Sequence, residues 1–156
     1  MTQAARIVEA ARAAGLTLTT AESCTGGMVA VALTDVPGSS TVFERGLVTY
    51  SNAAKSDLLG VLPETLSAHG AVSEDVAREM ATGARRAAGA DIAVSITGIA
   101  GPGGSEHKPE GRVCFGLATA KGVTAETCDF GAQGREAVRR MSRDHALQLI
   151  ETALTS

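Results

Sequence analysis

Two hydrophobic periods alternate along this chain, and an element boundary is expected wherever one gives way to the other. Residues 2–14 are Ala-rich with Ile7 and Val8, which predicts a helix closed by Gly15 just past its end. Leu16–Thr20 alternates and is rich in β-branched residues, so it reads as a short strand. A second helix is expected from about Gly26 to Asp35, stopping before Val36-Pro37-Gly38, and Thr41–Tyr50 reads as the next strand. Ser51 suits the N-cap of a helix over Ala53–Leu59 that Gly60 ends, and a short helical turn leads from Pro63 to Gly70. Ser73 then caps a long helix. Glu74 and Asp75 sit favourably against its dipole, and Val76, Met80, Ala84 and Ala87 lie along one face.

Asp91–Thr97 is an apolar, β-branched run suited to a buried strand, whereas Gly98–Gly111 is too dense in Gly and Pro for regular structure. Arg112–Ala120 and Val123–Phe130 flank Lys121-Gly122, which reads as a two-residue hairpin turn. The last helix, about Glu136 to Ala153, places Val138, Met141, Leu147, Ile150 and Leu154 on one side. Helices and strands interleave before a closing hairpin and helix, which predicts an α/β/α sandwich around a mixed sheet. The chain of 156 residues is expected to form a single domain over 1–156, with no internal repeat or linker.

Composition narrows the functional classes. A net charge of −3 supplies no broad basic field, and three Phe, one Tyr and no Trp leave no stacking platform, so a nucleic-acid partner is not expected. No run approaches the ~18 apolar residues of a membrane span, and Glu9 and Arg12 interrupt any secretory signal. The three cysteines, Cys24, Cys114 and Cys128, are widely spaced, and His69, His107 and His145 stand apart. A reduced cytoplasmic setting and no metal site are therefore expected. A domain of this size is expected to pair as a homodimer.

The strongest chemical signal is Thr20-Ala21-Glu22-Ser23-Cys24-Thr25-Gly26-Gly27, where a strand gives way to a helix. Ser23 is placed as a nucleophile there, and the N–H groups around Cys24, Thr25, Gly26 and Gly27 can hold a developing oxyanion. A serine hydroxyl needs a base. None of the three histidines stands in a context that suggests one. Lys55, about one turn into the helix after Tyr50-Ser51-Asn52-Ala53-Ala54, is the better candidate if burial or a nearby cation lowers its pKa; otherwise it is a solvated helix lysine. Tyr50 could pass or orient the proton, or simply fill the core edge. Cys24 is a rival nucleophile whose ordinary role is packing. Thr97 offers a hydroxyl at the end of a buried strand, and the loop Gly98-Ile99-Ala100-Gly101 lets backbone approach a ligand, although it is neither a Walker A nor a dinucleotide motif. Arg135 could hold a phosphate bidentately or lie on the surface.

Taken together, T-A-E-S-C-T-G-G at 20–27, G-L-V-T-Y-S-N-A-A-K at 46–55, L-G-V at 59–61, G-A-V-S-E at 70–74, S-I-T-G-I-A-G-P-G-G at 95–104 and K-P-E-G-R-V at 108–113 resemble the CinA C-terminal domain family. The resemblance implies a three-layer α/β/α fold with a mixed, mostly parallel sheet of five strands. It also implies a nicotinamide-nucleotide amidase without cofactor or metal, which converts the carboxamide of nicotinamide mononucleotide to the acid and ammonia. By the same resemblance Ser23, Lys55 and Tyr50 carry the chemistry, and Thr97, Gly98, Ala100 and Gly101 line the pocket. Where the family commonly has Gly-Asp-Arg, this chain has Gln133-Gly134-Arg135, keeping the arginine and losing the acid. A non-catalytic nucleotide-binding or competence-associated interaction module is the alternative, and a Cys24 hydrolase a third reading.

Overall fold

The five strands are β1 (Leu18–Glu22), β2 (Phe43–Val48), β3 (Ile92–Gly98), β4 (Arg112–Thr119) and β5 (Gly122–Asp129), hydrogen-bonded in the order β2-β1-β3-β4-β5. The helices are α1 (Gln3–Ala14), α2 (Met28–Thr34), α3 (Asn52–Leu59), α4 (Pro63–His69), α5 (Glu74–Ala88) and α6 (Arg135–Thr155). The computed structural model describes residues 1–105 and 107–156; Glu106, inside the predicted glycine-rich segment, lies outside the described residues. β1 pairs in parallel with both β2 and β3, and β4 is antiparallel to β3 and β5, so four of the five strands run the same way. Among the described residues no helix is long and apolar enough to cross a membrane.

The two faces of the sheet carry side chains of different size, and this sets the layers. On one face Leu18, Ile92, Val94, Ile96, Val113 and Phe115 pack against Ile7, Val29, Val138, Leu147 and Ile150 of α1, α2 and α6. On the other, Ala21, Ala93 and Ala118 meet Val76, Met80, Ala81 and Ala84 of α5. Small residues on this second face let α5 approach closely. The Ser95 hydroxyl donates to the Ala77 carbonyl at 2.6 Å, and a methyl group at Gly116 would sit 2.3 Å from that oxygen. Ala87, expected on the packed face, is exposed at the C-terminal turn of α5.

Gly83 fixes the seat of α3, whose placement matters below. A Cβ there would lie 1.8 Å from the Leu59 carbonyl oxygen at the C-terminus of α3. Gly83→Ala should therefore destabilise the fold by about 2–3 kcal/mol through overpacking, against the roughly 1 kcal/mol that helix propensity alone would give back. Thermal denaturation of the variant tests this; a higher melting temperature would show that α3 and α5 separate freely.

The element boundaries shift in informative ways. β1 runs on to Glu22 rather than ending at Thr20, so Ser23 is the first residue past the strand. α2 begins at Met28, two residues later than expected, because Gly26 and Gly27 have positive φ of 59° and 109° and form the turn. The hairpin turn is Ala120-Lys121, one residue earlier than expected: Thr119 pairs with Gly122, and the Thr119 hydroxyl accepts from the Lys121 N–H.

Candidate active site

The parallel strands end at one level. Register pairs Glu22 with Val48 on one side and with Ile96 on the other, so Ser23, Thr49 and Thr97 emerge side by side at the carboxyl edge. The chain leaves β1 toward β2 on one side and returns as β3 on the other, which opens a crevice at that edge, the usual ligand position in open α/β sheets. A cleft of about 310 Å³ lies there, lined by Ser23, Lys55, Tyr50, Thr97, the glycine loop and Arg135. That is the lower end of the roughly 300–1,000 Å³ typical of small-molecule sites.

Ser23 is 8% exposed, and its N–H donates to the Ile96 carbonyl at 2.9 Å, extending the sheet ladder by one residue. Lys55 is 1% exposed, the largest fully buried side chain of the protein. Ser51 caps α3 by accepting from the Ala54 N–H at 3.0 Å, which puts Lys55 in the first turn with its side chain directed back into the crevice. Lys55 Nζ lies 3.0 Å from Ser23 Oγ, 3.0 Å from the Thr49 carbonyl and 3.4 Å from the Tyr50 carbonyl. The two carbonyls hold the lysine nitrogen directly against the serine hydroxyl. The lysine and the serine, 32 residues apart in sequence, are thus in direct contact.

Tyr50 stands at the rim of the cleft. The residue is 59% exposed, and its hydroxyl accepts from Arg135 Nη2 at 2.7 Å. Arg135 Nη1 donates to the Gly101 carbonyl at 2.8 Å, so the guanidinium bridges the rim of the cleft from tyrosine to glycine loop. Gly134 has φ 97° and ψ 149° and leads directly into α6 at Arg135. The Thr97 hydroxyl donates to the Ala71 carbonyl at 2.9 Å, and Cys24, Gly98 and Ala100 line the cleft.

Of the four residues after Ser23, only Cys24 reaches the cleft wall. The Gly26 N–H donates to the Ser23 carbonyl and the Gly27 N–H to Glu22 Oε1, so both are committed. That leaves the Cys24 N–H as the backbone donor of this turn at the cleft wall. The Cys24 thiol is a poor nucleophile here: burial pushes its pKa up to about 11.

Two residues that support the site carried little sequence signal. Glu22 is 1% exposed; its Oε1 accepts from the Thr25 hydroxyl at 2.6 Å and the Val29 N–H at 3.0 Å as well as from Gly27, and its Oε2 accepts from the Ala30 N–H at 3.1 Å. This carboxylate caps α2 and occupies the helix N-terminus, which is therefore closed to a ligand anion. Arg139, one turn after Arg135, donates to the Cys24 and Thr25 carbonyls at 3.0 and 3.3 Å and clamps the serine turn from α6. An acid ending an apolar strand, and two arginines at i and i+4, were the available hints. The glycine loop is tethered too: Glu110 accepts from the Gly103 N–H, and Lys108 Nζ donates to the His69 and Val72 carbonyls.

This architecture recurs in known proteins. Residues 1–154 match the CinA C-terminal domain. The chain is 57% identical over 148 residues to the nicotinamide-nucleotide amidohydrolase PncC of Escherichia coli strain K12, covering 93% of this chain and 88% of that protein. It is 50% identical over 141 residues to a CinA-like protein of Shewanella denitrificans, covering 90% of this chain but 33% of that longer protein. The crystal structure of the competence/damage inducible protein CihA from Agrobacterium tumefaciens superposes with a TM-score of 0.94 at 46% identity, covering 99% of this chain and 94% of that one. With the match spanning nearly every residue, the chain belongs to the CinA C-terminal domain family.

Proposed function

We propose that this protein hydrolyses the carboxamide of nicotinamide mononucleotide to nicotinic acid mononucleotide and ammonia, with Ser23 as nucleophile and Lys55 as base. The observation that carries this reading is the 3.0 Å contact between a buried lysine amine and a serine hydroxyl at the floor of the cleft. The similarity to PncC supplies the substrate.

Lys55 Nζ takes the Ser23 proton as Oγ attacks the amide carbon. The N–H of Cys24, at the cleft wall, stabilises the tetrahedral oxyanion. The resulting ammonium returns the proton to the departing nitrogen, which leaves as ammonia. Water, deprotonated by Lys55, then cleaves the acyl-serine and regenerates both groups. The cationic pyridinium beside the amide makes its carbon more electrophilic. No step calls for a metal, and turnover is expected to be indifferent to chelators. The phosphate is assigned to Arg135 and the glycine loop, since Glu22 fills the N-terminus of α2.

In this scheme Tyr50 works through Arg135, by shaping the cleft rim. Tyr50→Phe is expected to raise KM by several-fold and to lower kcat by less than tenfold, because only its bond to Arg135 is lost. A kcat loss of 100-fold with KM unchanged would instead make the phenol part of the proton path. The substrate assignment is tested by following product with nicotinamide mononucleotide, nicotinamide and NAD in parallel. Conversion of the mononucleotide alone is expected; equal conversion of free nicotinamide would remove the role given to the phosphate.

A further inference from the structure

Away from the cleft, the fold gathers three side chains whose chemistry the catalytic scheme does not use. Glu126 and Cys128 are two residues apart on β5, so both side chains face α6, where His145 meets them. His145 lies ten residues beyond Arg135, about 15 Å along the helix from the rim of the cleft. Its Nε2 is 2.5 Å from Glu126 Oε1 and 3.6 Å from Cys128 Sγ, and the three donor atoms all lie within 4.8 Å of one another. The imidazole ring is held by Phe115, centroid to centroid 4.5 Å.

We propose that Glu126, Cys128 and His145 form a binding site for a divalent metal ion of the zinc class. Zinc takes nitrogen at about 2.0 Å and thiolate sulfur at about 2.3 Å, so two such ligands in tetrahedral array stand roughly 3.5 Å apart. The separation of Cys128 Sγ and His145 Nε2 already matches this. Glu126, half-exposed on an edge strand, has only to draw back from its hydrogen bond to complete a third position. Thiolate and imidazole together select zinc or cobalt over magnesium and calcium, which prefer all-oxygen sites. Binding displaces the Cys128 proton to solvent, so affinity rises with pH. The fourth position stays open to water, since three protein donors converge.

Titration of the untagged, reduced full-length protein with Co²⁺ tests the site. Tetrahedral Co²⁺ with a thiolate ligand is expected to give intense visible ligand-field bands and a near-ultraviolet charge-transfer band, and Zn²⁺ should bleach both. Cys128→Ser should abolish the charge-transfer band. His145→Gln, which keeps a side chain against Phe115, should weaken Co²⁺ affinity by at least about tenfold. Thermal denaturation of each variant confirms that it is folded. A spectrum of the octahedral aqua ion in millimolar Co²⁺, or a charge-transfer band that survives Cys128→Ser, would overturn the proposal. The first would leave Glu126 and His145 as a simple ion pair, and the second would place the metal on another thiol.

Discussion

Lys55→Ala is expected to lower kcat by at least about 1,000-fold while nicotinamide mononucleotide still binds. The amine is the group in contact with Ser23 Oγ, and removing it leaves the hydroxyl without an acceptor for its proton. Lys55→Arg should be no better, because a guanidinium does not deprotonate in proteins and its planar fork cannot replace a single tetrahedral nitrogen. Cys24→Ala gives the contrast. With its pKa pushed up to about 11, the thiol is ionised to roughly one part in ten thousand at pH 7, and its loss should leave most of the activity in place. Steady-state kinetics with calorimetric binding on the three variants separates these expectations. A Lys55→Ala enzyme within tenfold of the parent rate would show that something else takes the proton.

The second large effect concerns stability. Glu22→Ala should cost about 3 kcal/mol, lowering the melting temperature by roughly 6–12 °C for a chain of this size. The carboxylate accepts four hydrogen bonds in a buried setting, and truncation leaves the Thr25 hydroxyl and the N–H groups of Gly27, Val29 and Ala30 without it. The cost exceeds that of an ordinary helix cap, about 1 kcal/mol, because all of these donors lie in or against the core. Glu22→Gln should fall between, since its amide nitrogen presents a donor where a carboxylate oxygen accepted. Calorimetry measures both. A Glu22→Ala protein within about 0.5 kcal/mol of the parent would mean that the α2 terminus is solvated and the capping account is wrong.

Much of the site was legible in the sequence because it depends on local, punctuated features. A strand that ends at a serine before Gly-Gly, and a strand that ends before a Ser-capped helix, place Ser23 and Lys55 at the same sheet edge once the two strands pair in parallel. Periodicity located all six helices and five strands, since each carries a strong apolar repeat or a turn residue. It failed where a long-range contact decides. Ala87 follows the face of α5 by its spacing, but at the end of the helix it is exposed. Gly26 and Gly27 looked like the first residues of a helix, yet the turn that aims Ser23 uses them.

The supporting shell was hidden for the same reason. Glu22 is an acid at the end of a buried strand, and its partners lie in the following turn and helix, within eight residues; a capping role could have been read there. Arg139 grips the serine turn from more than a hundred residues away, and its own helix marks it only by the i, i+4 spacing from Arg135. Glu126, Cys128 and His145 were scattered polar positions until β5 packed on α6. Tyr50 was grouped with Ser23 and Lys55 by its neighbourhood in sequence, while its hydroxyl reaches Arg135 at the cleft rim.

The most direct test is ammonia release from nicotinamide mononucleotide by the parent protein and by Ser23→Ala under identical conditions. Ammonia equal to the substrate consumed, and at least about 1,000-fold slower release in the folded variant, is the expected result. No ammonia from the folded parent protein would contradict the amidase reading and favour a nucleotide-binding module, and undiminished release in Ser23→Ala would contradict the nucleophile.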